Sequence, residues 1–180
     1  TEEGAGITGA VGAQNNFLNA GDTVDVSVTF SEAVLDTSSG SLTLKIAVGS
    51  DNETATIISG STTDNLTFRY TIQALLTAGE NDDDGISIGA NALSLNSGTV
   101  TDLAGNLATD ISHGSVPDNE SYKVDTILPT IDNVSITSAE GIQNSFLNAG
   151  DNVSVTATFS EAVIVDNSSG NNPTITLVVG

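Results

Sequence analysis

The residues best suited to chemistry in this chain are acidic side chains on a short loop. Positions 80–85 read ENDDDG, so that Glu80, Asp82 and Asp84 alternate and Gly85 follows. Calcium takes roughly six to eight oxygens, several of them carboxylate, from a loop that can wrap the ion. The spacing matches the first half of an EF-hand loop and then departs from it. The last ligand position would fall on Asn91, not on a bidentate glutamate, and the flanks read as strands. The loop is therefore expected to hold calcium at the edge of a sheet. The plainer reading, a solvated acidic turn, leaves adjacent aspartates repelling each other with no basic residue near them in sequence.

A second acidic turn, DLAGN at Asp102–Asn106, fits two readings. Asp at the first position and Gly at the fourth suit an ordinary type I turn, and the same residues suit a metal shell. Catalysis has little support. The single histidine, His113, falls in what reads as a surface loop with no Ser-His-Asp arrangement around it. Two carboxylates can hydrolyse a glycosidic bond, but clustered aspartates on a loop more commonly bind calcium. The seven aromatics, Phe17, Phe30, Phe68, Tyr70, Tyr122, Phe146 and Phe159, read as core or edge packing and not as a platform for sugar. The chain is not expected to be an enzyme.

Composition narrows the partners. Twenty-three acidic residues face three basic ones, Lys45, Arg69 and Lys123, for a net charge of −20. Such a chain repels itself when compact and has no basic face for nucleic acid. It also lacks the basic cluster that holds a protein to an anionic membrane, and no apolar run is long enough to span a bilayer. Bound divalent cations or high salt would relieve the repulsion. With no cysteine there is neither a disulfide framework nor a zinc-thiolate site.

The elements that must position these loops read as strands. Val24, Val26, Val28 and Phe30 alternate with polar residues, as do Leu42, Leu44, Ile46 and Val48. Further strands are expected at 54–58, 65–72, 85–88, 92–95, 98–101 and 121–124, with a short first strand near Gly6–Thr8. Gly-, Asn- and Ser-rich turns separate them. No stretch keeps a helical period, and at most one helical turn is expected within residues 72–78. Many short strands with frequent turns predict an all-β antiparallel sandwich.

The chain also repeats itself. Residues 12–34 and 141–163 agree at 17 of 23 positions with a constant offset of 129, pairing Phe17 with Phe146 and Glu32 with Glu161. This predicts a complete repeat over residues 1–128 and the N-terminal part of a second over 129–180. Strands are expected in the second at 131–136, 153–159 and 174–179. Without an opposing sheet they would leave an apolar face wet.

Three segments together, NAGDTVDVSVTFSEAV, the stretch from LTFRYTIQALLTAGENDDDG to TDLAGN, and SYKVDTILPTI, resemble the bacterial Ig-like repeats of large surface adhesins, including those secreted with RTX-type signals. The resemblance implies an Ig-like sandwich, calcium ions that stiffen the repeats, and a secreted or cell-surface rod that projects a distal binding region for adhesion or biofilm formation. It favours a ligand role for Asp102, with Asn106 or a carbonyl completing the shell. In such a sandwich Glu161 is expected near the linker residue Asp125, joined by Asp82 or Asp84, with neighbouring repeats of the same chain as partners. Glu32 would serve a preceding unit in the same way. The alternatives are that Glu32 and Glu161 end their strands in solvent, that the module binds a glycan through calcium, or that it is an acidic repeat without metal.

Overall fold

The computed structural model describes residues 4–38, 41–74, 81–168, 170 and 172–179. Glu80 and the later part of the expected helical turn lie outside the described residues. The chain forms two compact units, Thr1–Ile127 and Leu128–Gly180.

The first unit is an all-β, curled antiparallel sandwich of the Ig-like kind, and no described residue is helical. Its strands are β1 (Gly4–Val11), β2 (Phe17–Leu18), β3 (Thr23–Asp36), β4 (Thr43–Val48), β5 (Asp51–Ser59), β6 (Thr63–Thr71), β7 (Asn81–Asp82), β8 (Leu93–Ser94), β9 (Val100–Asp102) and β10 (Lys123–Asp125). The main sheet runs β1-β3-β6-β5-β4-β8, all antiparallel, and β9 joins β3 beyond its pairing with β1. A smaller sheet, β2-β10-β7, includes one parallel pair, β2 with β10.

Alternation dictates the packing. Val24, Val26 and Val28 of β3 lie opposite Tyr70, Phe68 and Leu66 of β6, and all six are buried. Leu44, Ile46 and Val48 of β4 and Ala55 of β5 join them, while Leu18 and Val124 bring the small sheet into the same core. The apolar face is what holds the sheets together, since burying each large side chain contributes roughly 1.5–3 kcal/mol.

Several strands differ from the pattern-based expectation. Residues 85–88 make only isolated bridges, Ser87 to Ala47 and Ile88 to Val116. β1 is longer than expected although its sequence, GAGITGAV, alternates poorly, because it completes the edge of β3 from Gly4 opposite Thr29 to Val11 opposite Thr23. Strand β3 carries a large bulge. Thr29 faces Asn65 and the next paired residue, Val34, faces Thr63, so Phe30–Ala33 loop out of register. Such bulges re-aim side chains, and this one turns Glu32 to solvent.

The second unit contains β11 (Ile131–Glu140) and β12 (Asn152–Phe159), paired antiparallel. Their register copies β1 and β3 residue for residue. Asn133 faces Thr158 as Gly4 faces Thr29, Ile136 faces Val155 as Ile7 faces Val26, and the same shift follows, at Ile136/Ser138 as at Ile7/Gly9. Local turns repeat too. Asn15 and Asn16, like Asn144 and Ser145, take positive φ in a two-residue hairpin turn closed by reciprocal backbone bonds, Gln14 with Phe17 and Gln143 with Phe146. Asp22 and Asp151 accept the N–H of Asn19 and Asn148 at 2.8 and 2.6 Å. Gly12 and Gly141 hold positive φ (+109° and +93°), which disfavours any side chain there, and a Cβ would sit 1.8 or 2.0 Å from those aspartates' Oδ1.

The expected strand at 174–179 is not formed. Its counterpart in the first unit, β4, is paired between β5 and β8. The apolar face is bare: Val134, Ile136 and Val153 are exposed. Phe146, expected to pack, is 74% exposed, whereas Phe17 at the same place in the first unit lies beside β10 and is half-buried. No helix among the described residues is long and apolar enough to cross a membrane.

Candidate functional site

The acidic residues separate into an inward clamp and an outward cleft. Asp82 is the clamp. It is 3% exposed, on β7 beside β10, where it pairs with Val124 while Asn81 pairs with Asp125. Its Oδ2 accepts the Gly49 N–H at 2.8 Å and its Oδ1 accepts the Gly85 N–H at 2.6 Å. One carboxylate thus ties the β4–β5 turn to the acidic loop. Burial raises the Asp82 pKa above the ordinary carboxylate range; the two N–H donors pull it back, and the adjacent Asp84 carboxyl pushes it up again. Asp84 itself is exposed. The alternating spacing of the loop therefore sends one carboxylate into the protein and leaves its neighbour in water.

Asp125 lies alongside this loop through its pairing with Asn81, and its Oδ1 accepts the Ile127 N–H at 3.0 Å. Glu161 follows β12 in the second unit and is half-buried. There Ser160 donates its N–H to the Thr130 carbonyl and accepts the Thr130 N–H on its hydroxyl, both at 2.9 Å.

The cleft gathers residues that are far apart in sequence. Glu32 on the β3 bulge, Asp102 and Asn106 on the turn after β9, and Asp110 line one hollow of about 150 Å³. The pairing of Val34 with Asp102 brings the two strands together. Asp102 is fixed by its own turn: Oδ1 accepts the N–H groups of Ala104 and Asn106 at 2.9 and 2.8 Å, and Oδ2 accepts the Asn106 amide at 2.7 Å. Those donors, the Asn106 side chain foremost, hold the Asp102 pKa below the usual value. Asp110 is lowered likewise by Ser112, whose hydroxyl and N–H donate to Oδ1 at 2.6 and 3.0 Å. The same Asp-x-Ser bond occurs at Asp36 with Ser38 and, in the second unit, at Asp166 with Ser168.

No basic residue lines the cleft. Arg69 is engaged on β6 by a two-pronged bond to Asp25 at 2.6 and 2.7 Å, and Lys45 donates to Thr54. The donor set is all oxygen, as a hard cation requires. Among the described residues, however, no three acidic or histidine side chains converge closely enough to form a metal shell unaided. Phe30, also in the wall, is half-buried and packs against the core.

Asp110 was not legible as a site residue from spacing, because only the fold carries it to Glu32. His113 also differs from the surface-loop reading. It is 9% exposed, its Nε2 accepts the Ala92 N–H at 2.9 Å, and its Nδ1 therefore carries the proton and donates to the Gly114 carbonyl at 2.8 Å. Both ring nitrogens serve the fold. Compared with family models, with curated proteins and with solved structures, the chain matches none of them.

Proposed function

We propose that this chain is a calcium-stabilised structural repeat that extends a bacterial cell-surface adhesin, holding a distal binding region away from the cell. The observation that carries the reading is the register-for-register repetition of the β1–β3 hairpin in β11–β12. A unit that rebuilds the same hairpin from a second stretch of the same chain is suited to serial stacking and gives rigidity by number. The acidic cleft supports the cation part. Glu32, Asp102 and Asp110 share a hollow without a basic residue, and a divalent ion there would neutralise charge that otherwise opposes folding. Calcium would draw on Glu32 and Asp110, on Asn106 or a carbonyl, and on water.

A second reading, an acidic repeat that needs no metal, is favoured by one specific feature: both oxygens of Asp102 are already engaged by its own turn. Thermal unfolding in EDTA, then with millimolar calcium, magnesium or matched sodium chloride, separates the two. A rise specific to calcium supports the extender reading. An equal response to every salt assigns the effect to general screening and removes the metal.

A further inference from the structure

We propose that His113 is a pH-sensitive latch: it pins the segment 108–116 to the turn before β8 while its ring is neutral, and lets go when the ring takes up a proton. Three bonds join His113 to that turn. Its N–H donates to the Asn91 side-chain oxygen at 3.1 Å, its carbonyl accepts the Asn91 N–H at 3.1 Å, and its Nε2 accepts the Ala92 N–H at 2.9 Å. Asn91 takes a left-handed φ of +56° in this turn, a conformation that persists where surrounding bonds fix it. The Ala92 carbonyl in turn accepts the Lys45 N–H at 3.0 Å, so the latch reaches β4. On either side of His113 the segment is held by backbone alone: Ala108 donates to the Val100 carbonyl, and Val116 and Ile88 exchange bonds.

A neutral imidazole accepts through one nitrogen and donates through the other, whereas a protonated ring donates through both. Nδ1–H is committed to the Gly114 carbonyl at 2.8 Å, so an added proton falls on Nε2, facing the Ala92 N–H. Two donors then oppose each other at a side chain that is 9% exposed, and burial leaves both short of an acceptor. Imidazole takes up its proton in the mildly acidic range, where most carboxylates are still ionised. Little around His113 offsets the new charge. The hollow beside it is lined by Gly4 of β1, by residues 28–31 of β3 and by Asp110, Ile111 and Ser112 of its own segment. Asp110 is the one charged side chain among them, and its Oδ1 is taken by Ser112. Glu32, next along β3, is exposed, and the facing turn offers Asn91 and Ala92, neither of which titrates. The segment so released is the one that carries Asp110 to Glu32, so acidity acts on the shape of the cleft.

The chain has a single histidine, so its ring signals in NMR belong to this residue. The test follows the ring nitrogen shifts and the amide exchange of the whole chain from pH 7.5 to 5, in EDTA so that it stands apart from any bound cation. At neutral pH the ring should carry its proton on Nδ1. Protection of the Ala92 amide, taken relative to the intrinsic exchange rate, should fall about ten-fold for each pH unit below ~6.5, the slope of one linked proton on a freed imidazole. The Val26 and Phe68 amides, paired across β3 and β6, should stay protected. His113→Gln places an acceptor oxygen as far along the side chain as Nε2 but takes no proton, and should keep the Ala92 protection level over the same range. The proposal is overturned by a neutral ring with its proton on Nε2, by Ala92 protection that stays level in the native chain, or by an equal fall in His113→Gln. An equal fall at Val26 and Phe68 would overturn it too, by assigning the effect to the whole sandwich. If His113→Gln fails to fold, the tautomer and the contrast between Ala92 and Val26 in the native chain decide alone.

Discussion

The Asp82 carboxylate accepts the N–H of Gly49 at 2.8 Å, joining the β4–β5 turn to a loop 33 residues later in the chain. A residue whose spacing suggests an ion ligand is thus the fastener of the small sheet to the large one. Its second oxygen holds Gly85, leaving Asp84 as the exposed carboxylate of the pair.

Asp82→Asn keeps the size but offers a single acceptor oxygen for two N–H donors. The loss is expected to be about 1–3 kcal/mol, the cost of one buried unsatisfied group, by urea unfolding at neutral pH. The pH dependence has a definite sign. The folded-state pKa of Asp82 is raised, so the proton-linked part of its contribution, which adds to that of the two hydrogen bonds, is full below the ordinary carboxylate value and is lost as pH rises through the folded value. The advantage of the native chain over Asp82→Asn should widen as pH falls through that window.

Asp102 behaves in the opposite sense. Its folded pKa is lowered, so the turn it organises is secure above the ordinary carboxylate range and loosens as pH falls through the lowered value. The protection of the Ala104 and Asn106 amides, taken relative to the intrinsic exchange rate at each pH, should fall on acidification. It should be low already at neutral pH in Asp102→Ala.

Gly85 has φ +98°, and a Cβ there would stand 2.0 Å from the Asn119 carbonyl oxygen. Gly85→Ala should cost more than the ~1 kcal/mol of an ordinary left-handed alanine, because backbone must move. Denaturation midpoints of the two chains check this. Gly105→Ala, also at positive φ (+93°) but with open space around it, is the milder control.

Val26 and Val155 hold the same place in the two copies, yet Val26 is fully buried and Val155 is not. Val26→Ala should lower the stability of the first unit by about 2–3 kcal/mol from two lost methyl groups and a cavity. Val155→Ala should leave that transition within experimental error.

Glu32→Gln tests the cleft. With a bound cation, the variant loses part of the calcium-specific rise in melting temperature. Without one, removing a charge from a cleft that holds Asp102 and Asp110 raises the melting temperature in EDTA and leaves the salt response unchanged.

The strand class, the main core and the turns were legible in the sequence because they depend on near neighbours. Alternating valines in β3 and leucines and isoleucine in β4 can bury one face only as strands. The repeated QNNF and QNSF stretches, with glycine ahead of the aspartate-closed turn, build the same hairpin wherever they occur, which is why β11–β12 copies β1–β3. Other features waited on distant partners. β1 exists because β3 has an edge to fill. Asp82 faces inward because Gly49 and Gly85 aim their N–H groups at it, and His113 is buried because Ala92 and Gly114 claim both its nitrogens. Glu32, Asp102 and Asp110 became neighbours when a bulge in β3 and its pairing with β9 crossed some seventy residues of chain. Local chemistry selects the element. Which side chains meet is decided by non-local pairing, whose loop-closure cost no short window of sequence records.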